Sequence, residues 1–370
     1  MRHRARRMGA GQVSCRALVV PSARVAPRAA LLVALACALL PTGARAEAEG
    51  SLRLSASAGA DSNAHRDFLQ TGPVPDFVAS ALAEGRGQLV FDTFEAQGRY
   101  EAGVRGFLRA QTENALAQGA ALEVSQGVAR GVRLGLLGDG KDRQGERAYT
   151  DLLGGGFVEV IPETRLEVRL ELRAHRFVYW QAFEYSFAAP EATALVRYRF
   201  DRRHSVQAFG EVGARTYNAV ERLAPDGTAS GPLERRQDGA SAAGISYAYR
   251  GPFTLTVGYG FVAQRSNSFG ESFQRHRLSV TGAVRLPWRL ILLWEGAVQL
   301  SRYPDGVYLS QDFTLKQDDE SFNQLSLRLV KPLSTNLDLE LSAGLFHTRF
   351  PANGLTYLRG VGAVGVSFRL

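Results

Sequence analysis

Between residues 164 and 177 the chain reads TRLEVRLELRAHRF, which places Arg165, Glu167, Arg169, Glu171, Arg173 and His175 at every second position. Side chains at that spacing point the same way only on an extended backbone, because a helix turning about 100° per residue would scatter them. Such a row has electrostatic rather than covalent chemistry. It can set the charge preference of a water-filled path, or it can brace a wall with ion pairs. The same parity recurs at Arg197 and Arg199, at Glu211 with Arg215, at Arg277 and Arg285, at Glu295, at Arg328, and at Asp338 with Glu340. All are expected to line one aqueous lumen. Interleaving of both signs favours the bracing lattice, in which each exposed pair contributes about 0 to 1 kcal/mol. The preference for Arg over Lys fits planar recognition of carboxylate or phosphate, and fits genomic composition equally well.

Other constellations are weaker. Ser62, Asn63 and His65 carry the residue types of a nucleophile, an orienting group and a base. Three neighbours on one loop do not align readily for that work, so turn chemistry at a strand end is the better account. His175, His204, His276 and His347 fall at no metal-ligand spacing. GLLGDGKDR (135 to 143) lacks the Gly-Lys-Ser/Thr order of a phosphate loop and reads as an external loop, where Lys141 and Arg143 meet anionic lipid headgroups. No cofactor, metal or catalytic residue is expected, and the chain is not read as an enzyme.

The elements that position these residues begin after a leader. Residues 1 to 46 combine a basic start, the apolar run AALLVALACALL and Ala44-Arg45-Ala46, as a cleaved secretory signal does. Eight arginines and no acid fall in that segment, so 44 Lys+Arg against 36 Asp+Glu becomes 36 against 36 in the remainder. The apparent basicity therefore belongs to the leader, and a nucleic-acid partner is not expected. Both cysteines, Cys15 and Cys37, leave with it, so neither a disulfide nor a thiolate metal site follows.

Residues 47 to 370 read as one domain. Period-two segments run from SLRLSASAGA (51 to 60) to GVGAVGVSFRL (360 to 370), and only 75 to 84 suggests a short helical turn. Short turns at 162 to 164, 201 to 204, 250 to 252, 286 to 288 and 334 to 336 alternate with longer polar loops. The pattern predicts an all-β fold: a transmembrane antiparallel up-and-down β-barrel of about sixteen strands (14–18), with short periplasmic turns and longer extracellular loops. Closure is what lets a long meander satisfy its edge groups in lipid.

The last strand carries a resemblance. Val364, Val366, Phe368 and Leu370 share one face, and this resembles the C-terminal targeting strand of Gram-negative outer-membrane β-barrels. The departure is Leu370, where those proteins usually end in an aromatic residue. Asp61-Ser62-Asn63 resembles a short acidic-polar motif that often follows the first strand of such barrels. The resemblance implies residence in the outer membrane and three kinds of partner: outer-membrane lipid and lipopolysaccharide, the barrel-assembly machinery, and periplasmic components of an envelope complex. The expected role is a porin-like channel for hydrophilic solutes. The alternatives are a barrel subunit of an envelope machine, such as surface-polysaccharide export or a motility complex, and an outer-membrane lipid hydrolase using Ser62.

Overall fold

The computed structural model describes residues 47–65, 67, 69–226, 228–229, 235–305, 323–349 and 356–370. The leader expected at 1 to 46 lies outside the described residues. The strands are β1 (Glu47–Asp61), β2 (Asp76–Phe91), β3 (Phe94–Phe107), β4 (Ala115–Ala129), β5 (Val132–Gln144), β6 (Tyr149–Glu163), β7 (Leu166–Tyr179) and β8 (Phe187–Arg199). They continue with β9 (His204–Glu221), β10 (Arg235–Arg250), β11 (Phe253–Ser266), β12 (Phe273–Leu286), β13 (Leu290–Arg302), β14 (Asn323–Pro332), β15 (Leu337–Arg349) and β16 (Thr356–Arg369). Each pairs antiparallel with its sequence neighbours, and β16 pairs with β1, so the sheet closes into a sixteen-stranded barrel.

Two observations identify the faces. Arg169 on β7 reaches Glu123 on β4, and Arg53 on β1 reaches Glu340 on β15. Pairs between non-neighbouring strands are chords, and chords exist only on the concave side. The opposite parity is aliphatic and bare: Leu170 and Leu172 of β7 are 55% and 72% exposed, and Leu136, Val212, Leu278 and Leu300 continue the band. A closed barrel with a hydrocarbon exterior leaves no unpaired backbone edge, which is the condition for crossing lipid with strands.

The two rims differ. Seven connections of two to four residues join the strands at the end where β1 begins, and the connections at the other end run from four to twenty. Tight turning needs unusual backbone here. Gly131 has φ 72°, and a Cβ on it would stand 2.4 Å from the Ile161 carbonyl oxygen. In the β8–β9 turn, the backbone N–H groups of Arg203 and His204 donate to Asp201 and hold its carboxyl below the usual aspartate range. Trp288 stands 80% exposed at this rim, with Tyr198, Phe200, Tyr247 and Phe253 also exposed on strands and turns of the same end. An interfacial aromatic girdle looks like this.

Two local expectations are corrected. Residues 75 to 84 do not form a helical turn, because all but Pro75 belong to β2, whose small outward residues Ala79, Ala81 and Ala83 weaken the period-two signal. GLLGDGKDR is not a loop: it runs inside β5, with Lys141 and Arg143 on the inner face. Its glycines and charges conceal a strand whose partners supply the bulk.

The closing seam has a clasp at the long-loop end. Arg359 donates from Nη2 and Nε to Asp61 at 2.7 to 3.1 Å, with both side chains buried. Asn63, fully buried, donates to the carbonyls of Asp67 and Leu358 and accepts the Asp67 N–H. The Ser62 hydroxyl accepts the Gly360 N–H at 2.7 Å. Asp61, Ser62 and Asn63 thus lock the first strand to the last. At the opposite end Leu52 and Leu370 exchange both backbone hydrogen bonds. Val364, Val366 and Phe368 face outward, and Leu370, just beyond β16, is 65% exposed.

Candidate functional site

The inner row of β7 is the densest charged feature of the lumen. Arg169 donates from both terminal nitrogens to the two oxygens of Glu123, at 3.0 and 2.8 Å, and from Nε to Glu171 at 2.7 Å. The wall beneath explains its reach. Gly135 on β5 has no side chain, so the Phe157 ring lies flat against it: a Cβ there would meet the ring at 2.3 Å. The Arg169 guanidinium stacks 3.7 Å above that ring, a cation–π seat that aims it at Glu123.

Arg173 is the hub of the row, pairing with Glu171, Glu191 and Glu211 at 3.5, 3.1 and 2.6 Å. Glu167 receives Arg197 at 3.0 Å and Arg199 at 3.5 Å. His175, which looked isolated in the sequence, stands between Asp151 at 2.6 Å and Glu191 at 2.8 Å. Sequence spacing could not reveal this, because the partners come from the strands on either side. Among the described residues no group of acids, histidines or cysteines is arranged to hold a metal ion.

Arg165 departs from the expected row. It sits with Thr164 in the two-residue β6–β7 turn, exposed, and its carbonyl accepts the Arg199 N–H. Strand pairing starts at Leu166, one residue later than the alternation suggested.

The remaining candidates share the inner face but not the lattice. Arg277 and Arg285 stand inward on β12, and Glu295 on β13 accepts from Gln324. On β15, Glu340 pairs with Arg53 and, at 4.0 Å, with Arg328 of β14, while Asp338 accepts from Arg369. The intervening wall is nearly bare. Inward positions on β10 and β11 include Ala240, Ala242, Gly244, Gly258 and Gly260, and the seam adds Ser57, Ala363 and Gly365. Among the described residues the lumen is therefore lopsided, with a dense ion lattice along β6 to β9 and small inward residues along β10, β11 and the seam.

Sequence reasoning missed one inner feature. At the long-loop end the β7 row changes from charge to aromatic, and Phe177, Tyr179, Phe187 and Tyr217 form a buried cluster inside the barrel. Beside it Arg236, 1% exposed, pairs with Asp238 at 2.7 Å and Glu271 at 3.1 Å, its guanidinium 4.4 Å from the centre of the Tyr217 ring. The signal was present: Phe177 and Tyr179 continue the parity of Arg173 and His175. This cluster narrows the outer mouth on one side. On another, Ala64, Phe107 and Ala110 pack inward, with Asp76 accepting the N–H groups of Arg109 and Ala110. Nearer the short-turn rim lies a cavity of about 670 Å³ lined by residues of β1 to β5 together with Arg169 and Glu171.

No family model matches the chain, and no curated protein matches it. Among solved structures it is similar to the outer membrane channel DcaP of Acinetobacter baumannii, at 10% identity over 90% of this chain and 99% of that one, with a TM-score of 0.52. The fold is that of an outer-membrane barrel. The chain is also similar to OccAB1 of Acinetobacter baumannii, at 9% identity over 87% of this chain and 96% of that one, TM-score 0.48. A third similarity is to a bacterial polysaccharide outer membrane secretin, at 10% identity over 87% and 98%, TM-score 0.44.

In an outer-membrane barrel with this inner face, reversing Glu167 and Glu171 to Lys should move ion preference toward anions. The two changes strip four arginines of a partner and shift the lumen by four charge units. The reversal potential across a KCl gradient should correspond to a permeability ratio changed about two- to fivefold. A conducting variant with an unchanged reversal potential would show that β7 does not border the ion path.

Proposed function

We propose that the protein is a passive outer-membrane channel for small hydrophilic solutes. The observation that carries this reading is the lopsided lumen, in which much of the wall presents alanine, glycine and serine and, among the described residues, nothing bulky stands across from the charged strands. A barrel of this strand number leaves water inside when its inward side chains are small. The ion lattice of β6 to β9 then serves as a rigid wettable wall. Val364, Val366 and Phe368, with Leu370, supply the outward apolar ladder that delivery to the barrel-assembly machinery calls for, and lipopolysaccharide is the neighbour of the outer rim.

Purified folded protein in planar bilayers should show discrete, reproducible conductance steps. Persistent silence from protein of verified fold would remove the channel reading and favour a barrel subunit of an envelope machine. The hydrolase alternative has no support in the geometry: the Ser62 hydroxyl is engaged by Gly360, and no hydrogen bond joins it to His65 among the described residues.

A further inference from the structure

We infer that the β3–β5 wall of the lumen is a binding site for small zwitterionic solutes, carrying an ammonium and a carboxylate on one short frame; this rests on the channel reading above. The strand register sets the site. Arg99 of β3 pairs with Ala121 of β4, which pairs with Asp139 of β5, so all three lie in one row across the inner face. Two residues further toward the long-loop rim, Glu101, Gly119 and Lys141 form a second row. Strands lie about 4.8 Å apart and rise about 3.3 Å per residue, so the four charged residues mark a rectangle of roughly 10 by 7 Å. Its corners alternate in sign: Arg99 positive, Asp139 negative, Lys141 positive, Glu101 negative.

What separates these four charges from the β7 lattice is that they are idle. Among the described residues none of them makes a hydrogen bond or an ion pair, although every acid and arginine of the β7 row does. Ala121 and Gly119 separate the opposite charges across each row, and along each strand Arg99 and Glu101, like Asp139 and Lys141, stand two residues apart without pairing among the described residues. Glu101 leans over Gly119, where a Cβ would stand 3.2 Å from its carboxylate. Next to Arg99 the directly paired residue is Arg86, another cation, and Arg86 is itself committed to Glu84. Arg99, Ala121 and Asp139 face the 670 Å³ cavity, which is large enough for a small organic solute with its water.

Alternating corners discriminate by charge distribution rather than net charge. A lone anion drawn to Arg99 is repelled by Glu101 and Asp139, and a lone cation meets the mirror image of that difficulty. A solute carrying both charges satisfies two adjacent corners together, its carboxylate toward Arg99 or Lys141 and its ammonium toward Glu101 or Asp139. The groups are wetted, so the site is weak and fast, as a conducting path requires.

Proteoliposomes containing the full barrel, assayed for uptake of radiolabelled glycine, glycerol and acetate above the leak into protein-free liposomes, test this. Glycine should enter about fivefold faster than uncharged glycerol, the size of effect expected for one exposed ion pair. In the variant with Arg99→Gln and Asp139→Asn the glycine-to-glycerol ratio should fall to about that of simple diffusion. Glycine entering no faster than glycerol in liposomes that do admit glycerol overturns the inference and leaves the channel standing. So does acetate preferred as strongly as glycine, which would make the wall an anion site. Liposomes of verified insertion that admit none of the three remove the channel reading and this inference with it.

Discussion

Replacing Arg359 by Met should cost the barrel about 3 to 5 kcal/mol, because it strands the carboxylate of Asp61 where water does not reach. Asp61 is 1% exposed and accepts three hydrogen bonds from Arg359, so without the guanidinium only the Asn63 N–H, among the described residues, still serves its carboxylate. The pair itself is worth much less than that. Two buried ions give back in mutual attraction roughly what they lose in hydration, whereas one buried ion alone gives back nothing. The double variant Arg359→Met with Asp61→Leu should therefore recover most of the loss. Urea unfolding from detergent micelles, followed by tryptophan fluorescence, reads both. A single variant as stable as the parent would mean that the seam is held by its backbone ladder and that the clasp is incidental.

Arg236→Met should cost a similar amount, about 3 to 5 kcal/mol, by the same logic at the outer mouth. Here one guanidinium serves two carboxylates, Asp238 and Glu271, and covers the face of Tyr217. The Tyr217 hydroxyl and Gln264 also donate to Asp238, so part of its need survives the substitution, while Glu271 loses its arginine. Neutralising both acids alongside, with Asp238→Asn and Glu271→Gln, should restore more than half of the stability in the same urea experiment. The comparison with Arg359 is informative because the two sites lie on distant strands and their costs should add. A single variant that loses less than about 1 kcal/mol would show that water enters this corner and that the apparent burial is not dry.

The architecture was legible in the sequence because its cause is simple. A wall one residue thick between hydrocarbon and water imposes period two on nearly every strand, and Leu166, Val168, Leu170 and Leu172 record it without interruption. The rhythm of short and long connections exposed the difference between rims. Stretches poor in bulky residues were the least legible. Residues 78 to 84 face lipid with Ala79, Ala81 and Ala83, and residues 137 to 143 include the outward Gly138 and Gly140; their neighbours cover the gap, which is information held in register rather than in the strand itself. The inner partners were illegible for a related reason. Arg169 and Glu123 meet across two intervening strands because Gly135 lets a phenyl ring lie flat, and Arg53 meets Glu340 from nearly the whole length of the chain away. Spacing along one strand could suggest which residues face inward. It could not say which of them would be paired and which, like Arg99 and Asp139 among the described residues, would be left idle.

The clasp between Asp61 and Arg359 joins residues 298 positions apart. Every other strand pair forms between immediate sequence neighbours, across a connection of at most twenty residues. The barrel is thus a set of fifteen local hairpin contacts and one contact of extreme range, and the chain-entropy cost of closing the ring falls on that single step. On that entropy argument β1 is expected to keep an unsatisfied edge until β2 to β16 have found one another. In kinetic terms the seam is the late event, and the residues that hold it govern how long an open, edge-exposed sheet survives before it becomes a ring.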